Sequence, residues 1–283
     1  MKILVLGTTG LIGRTVFEEL SLDNDLKVLG TSRSSIRNQR SNLNLDYAPG
    51  SLSLRNIIEN NKPEFIINCI GITKHLKESK NSLTSISVNS LLPHEIVSYC
   101  SEVGSKLIQI STDCVFSGSK GNYIEGDVPD SQDLYGRSKF LGEVVDEKHL
   151  TIRTSTIGHE HNSKFGLLEW FLGQQDSCFG YKNAIFSGLT TIELSKVLRE
   201  VISNYPELNG LYHVAGKPIN KFDLLKIISR IYNKNIIINP DYDFHIDRSL
   251  NPKNFQNKTG YLSPSWEEMI DNMYKNFKKR NNV

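Results

Sequence analysis

Residues 2–20 read KILVLGTTGLIGRTVFEEL. A short apolar run, Ile3–Leu6, has the length and composition of a buried strand, and a helix-like pattern follows over Leu11–Leu22. Between them Gly7, Gly10 and Gly13 are spaced G-x-x-G-x-x-G. Glycines permit positive φ and close backbone approach, and a helix N-terminus offers free N–H groups to a phosphate. A glycine-rich turn that leaves a strand and opens a helix is the setting a dinucleotide pyrophosphate requires, although the spacing differs from the commoner G-x-G-x-x-G. The reading places Gly7, Thr9, Gly10, Leu11, Ile12 and Gly13 at a cofactor. A tight turn without a ligand is the alternative.

The same rhythm continues outward. Lys27–Thr31, Phe65–Ile70, Lys106–Ser111 and Leu150–Thr154 are strand-like, and Leu52–Asn60, Leu83–Val103 and Tyr135–Glu147 are helix-like. Alternation of this kind predicts an α/β fold, a Rossmann-type doubly wound parallel sheet with helices on both faces and ligands beyond the strands' carboxyl ends. After about residue 155 the rhythm loosens into helix candidates Leu167–Gln174, Ile192–Asn204 and Phe222–Tyr232, with short strands at Leu211–Val214 and Asn235–Asn239. Thr190-x-x-Glu193 has the capping-box pattern of a helix start. We therefore expect residues 1–155 to form an NAD(P)-binding domain and 156–283 a smaller α/β substrate-binding lobe, interleaved with the first domain.

The second strand leads into VLGTSRSS, where an NAD site would place a carboxylate for the ribose 2′-hydroxyl. Thr31, Ser32, Arg33, Ser34 and Ser35 offer hydroxyls and a guanidinium instead, which suits a 2′-phosphate and favours NADP(H), with NAD(H) still open. Asp46 is a further candidate, for the adenine amino group.

Composition narrows the partners. The chain has 283 residues, 38% of them apolar and 23% charged, with a formal charge of +2. A charge so near zero provides no broad field for nucleic acid or anionic lipid. The basic cluster Lys275, Lys278, Lys279 and Arg280 reads as solvated cations at a helix end. No apolar run approaches the ~20 residues of a membrane helix. Cys69, Cys100, Cys114 and Cys178 show no metal-like spacing and fit reduced thiols. The expectation is a cytoplasmic protein.

Tyr135 and Lys139, in LYGRSKFLGEVV, stand at i and i+4 and share one helix face. Phe140, Leu141, Val144 and Val145 form an apolar stripe roughly opposite, so the pair is read as pointing away from the core side of its helix. An ammonium beside a phenol would lower the phenol's pKa and make it a workable proton donor or acceptor. Upstream, STDCVFSG (111–118) puts hydroxyls, a carboxylate and a thiol at the end of a strand.

The glycine turn, Ser-Thr-Asp at a strand end and Tyr-x-x-x-Lys some twenty residues later together resemble the extended short-chain dehydrogenase/reductase family. The resemblance runs almost end to end and is strongest to its dTDP-4-dehydrorhamnose reductase branch, through EFIINCIGIT, GNYIEGDVPDSQDLYGRSKFLGE, IRTS, LNGLYHVAG and RSLNPKNFQNKTGYLSPSWEEMI. It implies an oxidoreductase that reduces the 4-keto group of a nucleotide-diphospho-6-deoxy-4-ketohexose for surface polysaccharide. By position it implies that Thr112 holds the reacting oxygen, Tyr135 gives the proton, and Lys139 activates Tyr135 and binds ribose. Cys69, Ile70 and Gly71 would line the cofactor's path, Thr154 and Ser155 would lie near the nicotinamide, and Thr73, Asp113, Cys114, Ser155 and Thr156 would stand toward the substrate.

The chain departs from that branch at Cys114 and Thr156, where its members resemble STDYVF and RTSWVY. Two stacking surfaces are lost, which puts the sugar and base in doubt. Related 4,6-dehydratases have a Glu at position 114, and a thiol is a poor substitute for that carboxylate. An epimerase, which reuses the tyrosine, and a non-catalytic NADP-binding regulatory subunit remain alternatives, as does a homodimer. A Cys114 nucleophile and a metal site at His159, Glu160 and His161 are the less favoured readings, and Asp113 reads equally as support for the site or as a structural turn residue.

Overall fold

The computed structural model describes residues 1–33, 41–74, 76–160 and 165–281. Short apolar runs become strands and the amphipathic segments between them helices: β1 (Lys2–Leu6), α1 (Leu11–Leu20), β2 (Lys27–Ser32), β3 (Asn42–Asn44), α2 (Leu52–Asn61), β4 (Phe65–Asn68), α3 (Ser82–Ile86), α4 (Leu92–Val103), β5 (Lys106–Thr112), α5 (Leu134–Leu141) and β6 (Leu150–Thr154). The second half adds β7 (Thr156–Ile157), α6 (Leu167–Gly173), β8 (Ser177–Phe186), β9 (Leu189–Thr190), α7 (Thr191–Asn204), β10 (Gly210–His213), β11 (Ile219–Asn220), α8 (Lys221–Ile231), β12 (Ile237–Asp247), α9 (Lys253–Thr259) and α10 (Trp266–Asn281).

Among the described residues, seven strands form one sheet in the order β10-β6-β5-β4-β1-β2-β3, and every neighbouring pair is parallel. The order reverses between β1 and β4, which leaves a crevice at their carboxyl ends. Both faces are covered. Ile3, Val5, Ile67, Ile108, Ile110 and Ile152 pack in one core with residues of α1, α7, α8 and α10. Leu4, Leu6, Ile66 and Leu107 pack in a second with Leu54, Ile58, Leu92 and Ile96. Burial on both sides explains why these strands are continuous apolar runs, each side chain contributing about 1.5–3 kcal/mol on leaving water.

The halves are interleaved. β10 lies beside β6 in the main sheet, α7 packs on α1, and the hydroxyls of Thr15 and Thr191 bond at 3.2 Å. Thr190 caps α7, its Oγ1 accepting from Glu193 N at 3.3 Å. The capping box is half formed, because Glu193 turns its carboxylate to the Tyr261 hydroxyl, 3.1 Å away. Of the later elements, β11, β8 and β12 form a separate small sheet.

Three elements differ from the sequence pattern. The helix expected over Leu83–Val103 is α3, a π-helical turn at Ser87–Leu91, and α4. Pro93 has no N–H for the carbonyl of Asn89, so the regular ladder cannot run through this point. The strand expected at Asn235–Asn239 is β12, which runs to Asp247 with a register shift between Asp241 and His245; its Pro240 is tolerated because the strand lies at an edge. The helix expected over Tyr135–Glu147 stops at Leu141, and three of the four residues expected on its core side face solvent. Of the expected stripe, Val144 is buried in the second core, whereas Phe140, Leu141 and Val145 are 42%, 59% and 61% exposed and Lys139 is buried. Gly142 lies so close to Asn89 that a Cβ there would overlap the Asn89 carbonyl.

Candidate active site

The crevice between β1 and β4 is built from main chain. Gly7 has φ +84°, and its N–H and that of Thr8 both donate to the Thr31 carbonyl, at 3.2 and 2.9 Å. A Cβ on Gly13 would overlap the Gly7 carbonyl and lie 3.1 Å from the Cys69 side chain, so glycine alone lets α1 approach so closely. Gly10 caps α1 without a side-chain hydrogen bond, and the first turn holds no acidic residue. The amides of Leu11, Ile12 and Gly13 are therefore first-turn donors with no intrahelical acceptor, a set that fits a pyrophosphate. Thr9 and Gly10 are exposed beside them, and Leu11 and Ile12 half-buried.

On the far wall Cys69, Ile70 and Gly71 leave β4, half-buried. Asn89 pins this loop: its Oδ1 accepts from Ile72 N at 2.8 Å, and its Nδ2 donates to Ile72 O and to Ser138 Oγ, both at 3.0 Å. Sequence reasoning missed Asn89, which sits inside a segment that reads as plain helix. At the end of β2, Thr31 is buried, Ser32 Oγ accepts from Asn42 Nδ2 at 2.6 Å, and Arg33 is exposed. Ser34 and Ser35 lie outside the described residues. Asp46 is exposed two residues beyond β3, and Thr73 is exposed past the β4 loop.

At the β5 end the three expected side chains converge. Asp133 caps α5, accepting from Gly136 N at 2.7 Å, and a Cβ on Gly136 would overlap the Cys114 carbonyl and Ser131. That close approach sets the Tyr135 phenol beside Thr112, Cys114 and Asp113. Thr112 Oγ1 accepts from Cys114 N at 3.1 Å and donates to Asp113 Oδ1 at 3.2 Å. Lys139 Nζ donates to the Ile110 carbonyl at 2.7 Å. Burial pulls the Lys139 ammonium down to about 8, against the attraction of Glu143 and Cys69. The Cys69 thiol is pushed up to about 12, again by burial.

Tyr135 corrects the sequence expectation. Its phenol is raised, first by burial and then by Cys114, with only partial relief from the Thr112 hydrogen bond. The lowering expected from Lys139 is not realised, because that ammonium donates to the Ile110 carbonyl.

Two cations that sequence reasoning did not single out complete the wall. Arg248 Nη1 donates to Cys114 Sγ at 3.7 Å and its Nε to Phe116 O at 2.9 Å. Lys221, the first residue of α8, is lowered by burial and held up by Asp113 and Cys114. Asp113 is raised by burial against the pull of Arg248. Burial and Asp113 push the Cys114 thiol up to about 12, which leaves it neutral and poorly nucleophilic. Lys74 bonds Asp133 at 2.6 Å and lies over the Tyr135 ring. On β6, Thr154 is in register with Thr112, and Ser155 and Thr156 follow, half-buried, with Ser155 O accepting from Leu189 N at 2.9 Å.

All four thiols are free. His159 bonds Glu169 and the Tyr232 hydroxyl, His161 lies outside the described residues, and no metal-like cluster occurs among those described. Arg280 of the basic cluster pairs with Glu18 and Glu19. Among the described residues no helix is long and apolar enough to cross a membrane.

A parallel sheet with a glycine turn at its switch point, and a Tyr–Lys–Thr cluster two strands away, defines a Rossmann-type protein of the dinucleotide-binding class. The chain belongs to the RmlD substrate binding domain family, whose pattern matches residues 1–279. It is 25% identical over 299 residues to a dTDP-4-dehydrorhamnose reductase of Shigella flexneri, covering 96% of this chain and 97% of that one. The dTDP-4-dehydrorhamnose reductase of Bacillus anthracis, solved in complex with NADP, superimposes with a TM-score of 0.81 at 22% identity, over 97% of this chain and 99% of that one. Methionine adenosyltransferase 2 subunit beta of Xenopus tropicalis is 34% identical over 143 residues, 50% of this chain; the match spans only 41% of that relative.

Proposed function

We propose that this protein is an NADPH-preferring reductase of the 4-keto group of a nucleotide-diphospho-6-deoxy-4-ketohexose. The observation that carries the reading is the meeting of Thr112, Tyr135 and Lys139 at the carboxyl edge of β5, beside a crevice whose glycine turn fits a pyrophosphate. The match to a dTDP-4-dehydrorhamnose reductase along nearly the whole of both chains supports it. First-turn amides of α1 would hold the pyrophosphate, Arg33 the 2′-phosphate, and Cys69, Ile70 and Gly71 would bound the crevice.

When bound, the reduced nicotinamide supplies the hydride. The chain's own residues handle the oxygen. Thr112 and Tyr135 hydrogen-bond the carbonyl, and these bonds strengthen as charge develops there. With its pKa raised, Tyr135 is fully protonated near neutral pH, the state a proton donor needs, and its proton passes to the sugar oxygen. Lys139 Nζ, which donates to the Ile110 carbonyl, would have to turn from it to stabilise the phenolate left behind and to reach the ribose. Asp113, Cys114, Ser155 and Thr156 would face the sugar. The neutral Cys114 supplies no base for dehydration.

A regulatory-subunit reading has one observation in its favour, the likeness to an adenosyltransferase subunit beta over half of this chain. A panel of dTDP- and UDP-linked 4-keto sugars with NADPH separates the readings, by loss of reduced-nicotinamide absorbance and by product stereochemistry. Turnover supports the reductase; stable cofactor binding with no turnover of any member supports the subunit. We further propose a cytoplasmic location, a role in supplying surface polysaccharide, and a homodimer. The exposed Phe140, Leu141 and Val145 are available to a second copy, and light scattering of the purified protein measures the mass.

A further inference from the structure

When the Tyr135 O–H bond breaks and its proton passes to the sugar oxygen, a negative charge stays behind on the phenolate. The groups around that phenol are unevenly suited to receive it. Lys139, on the same helix face, donates to the Ile110 carbonyl at 2.7 Å. From the end of β5 come the Thr112 hydroxyl, the Asp113 carboxylate and the Cys114 thiol, the last held neutral by burial. Arg248 lies behind Cys114, with Nη1 on its Sγ at 3.7 Å, and Lys221 lies over the Phe186 ring, 4.1 Å from its centre. Among the described residues the one cation over the Tyr135 ring is Lys74, its Nζ 5.8 Å from the ring centre.

Lys74 is held there from both ends. It belongs to the loop that leaves β4, which Asn89 pins at Ile72, and its own carbonyl accepts from Ser79 Oγ at 3.1 Å. Its Nζ donates to Asp133 Oδ2 at 2.6 Å, while Asp133 Oδ1 accepts from Gly136 N at 2.7 Å as the cap of α5. The ion pair thus runs from the β4 loop to the start of the helix that carries Tyr135. With side chains 35% and 42% exposed, such a pair adds little to stability. Its distinctive consequence is where it leaves the ammonium. A cation over an aromatic face is attracted to the π electrons, and the attraction grows as the ring becomes a phenolate and shares a full negative charge.

We propose that Lys74 is the cation that stabilises the Tyr135 phenolate during proton transfer, acting through the face of the ring, with Asp133 holding it in place. Its meaning for turnover rests on the reductase reading, in which Tyr135 gives the proton.

The test follows the phenol directly. 3,5-Difluorotyrosine at position 135, whose phenol titrates closer to neutral pH than that of tyrosine, gives a 19F resonance of its own. It is titrated by NMR in Asp133→Asn, Lys74→Met/Asp133→Asn and Lys74→Arg/Asp133→Asn. Asparagine keeps the α5 cap, and with the Asp133 charge gone from all three, Lys74 cannot act through its partner. Asp113, Cys114, Lys139, Lys221 and Arg248 are common to the three, so a difference belongs to residue 74. Loss of a cation disfavours the anionic form, so the midpoint in Lys74→Met/Asp133→Asn is expected about half a unit to one unit higher than in Asp133→Asn, a roughly three- to tenfold effect. Lys74→Arg/Asp133→Asn recovers most of it. With tyrosine at 135, kcat falls by a similar factor between the first two proteins, and the KM for NADPH stays in place. Equal midpoints in Asp133→Asn and Lys74→Met/Asp133→Asn overturn the proposal and leave Lys74 a structural partner of Asp133. If Asp133→Asn does not fold, Lys74→Met alone decides: the lost cation and the freed carboxylate would both raise the midpoint, so a rise supports the proposal and an unchanged value overturns it. If the wild type reduces no keto sugar, the reductase reading fails while the 19F midpoints still decide whether Lys74 stabilises the phenolate.

Discussion

The two sides of the sheet's carboxyl edge are made by opposite means. Between β1 and β4 the groups proposed to face a ligand are main-chain amides, held by glycines that allow close approach. Beyond β5 and β6 they are side chains, Thr112, Tyr135 and Lys139 backed by Glu143, Arg153, Lys221 and Arg248, all buried or half-buried. The first side needs one local conformation. The second needs several elements in register, with desolvated charges that balance only in the assembled protein. A change on the first side should therefore weaken binding, and a change on the second should slow chemistry while binding persists.

The largest effect expected of any single change separates these two outcomes. Tyr135→Phe removes the proton donor and should lower kcat by about 10³-fold or more, with NADPH affinity nearly unchanged by fluorescence titration. Retained turnover would end the mechanism. Thr112→Val should cost roughly 10²-fold in kcat/KM, since one donor to the developing charge is lost along with the acceptor for Cys114 N.

Gly13→Ala tests the other side. The new methyl meets the Gly7 carbonyl, and overpacking of about 1–3 kcal/mol should appear as weaker dinucleotide binding and a lower Tm, with kcat at saturating cofactor little altered. A fall in kcat with affinity intact would break the division. Arg33→Ala should sharpen it: losing a charge-assisted contact worth about 1.5–3 kcal/mol raises the KM for NADPH about tenfold or more and leaves that for NADH in place. Thr190→Ala, far from both sides, removes the α7 cap and should cost about 1 kcal/mol, seen only as a small drop in Tm.

Legibility in the sequence follows the same line. The glycine turn, the parallel sheet and the cap at Thr190 are local patterns, and each stands where its pattern put it. Thr112, Tyr135 and Lys139 were also legible, as residues, but the direction of their helix was not. Counting around the helix makes Phe140, Leu141, Val144 and Val145 the core face, whereas only Val144 is buried and the other three are exposed. The phenol's pKa was misread for a related reason, since a neighbour four residues away says nothing about how deeply both groups are buried.

By itself the sequence determined the element order, the glycine turn that opens α1 and the residue types proposed to react, because each depends on φ, hydrogen bonding or periodicity within about ten residues. Only the tertiary structure decided that Lys139 points to Ile110, that Glu143 pairs with Arg153, and that Lys221 and Arg248 stand near Asp113 and Cys114. Those are facts of burial and of groups brought together in space, Arg248 and Cys114 from 134 residues apart, and the free energy of a buried charge depends on what surrounds it in space, not on what precedes it in the chain.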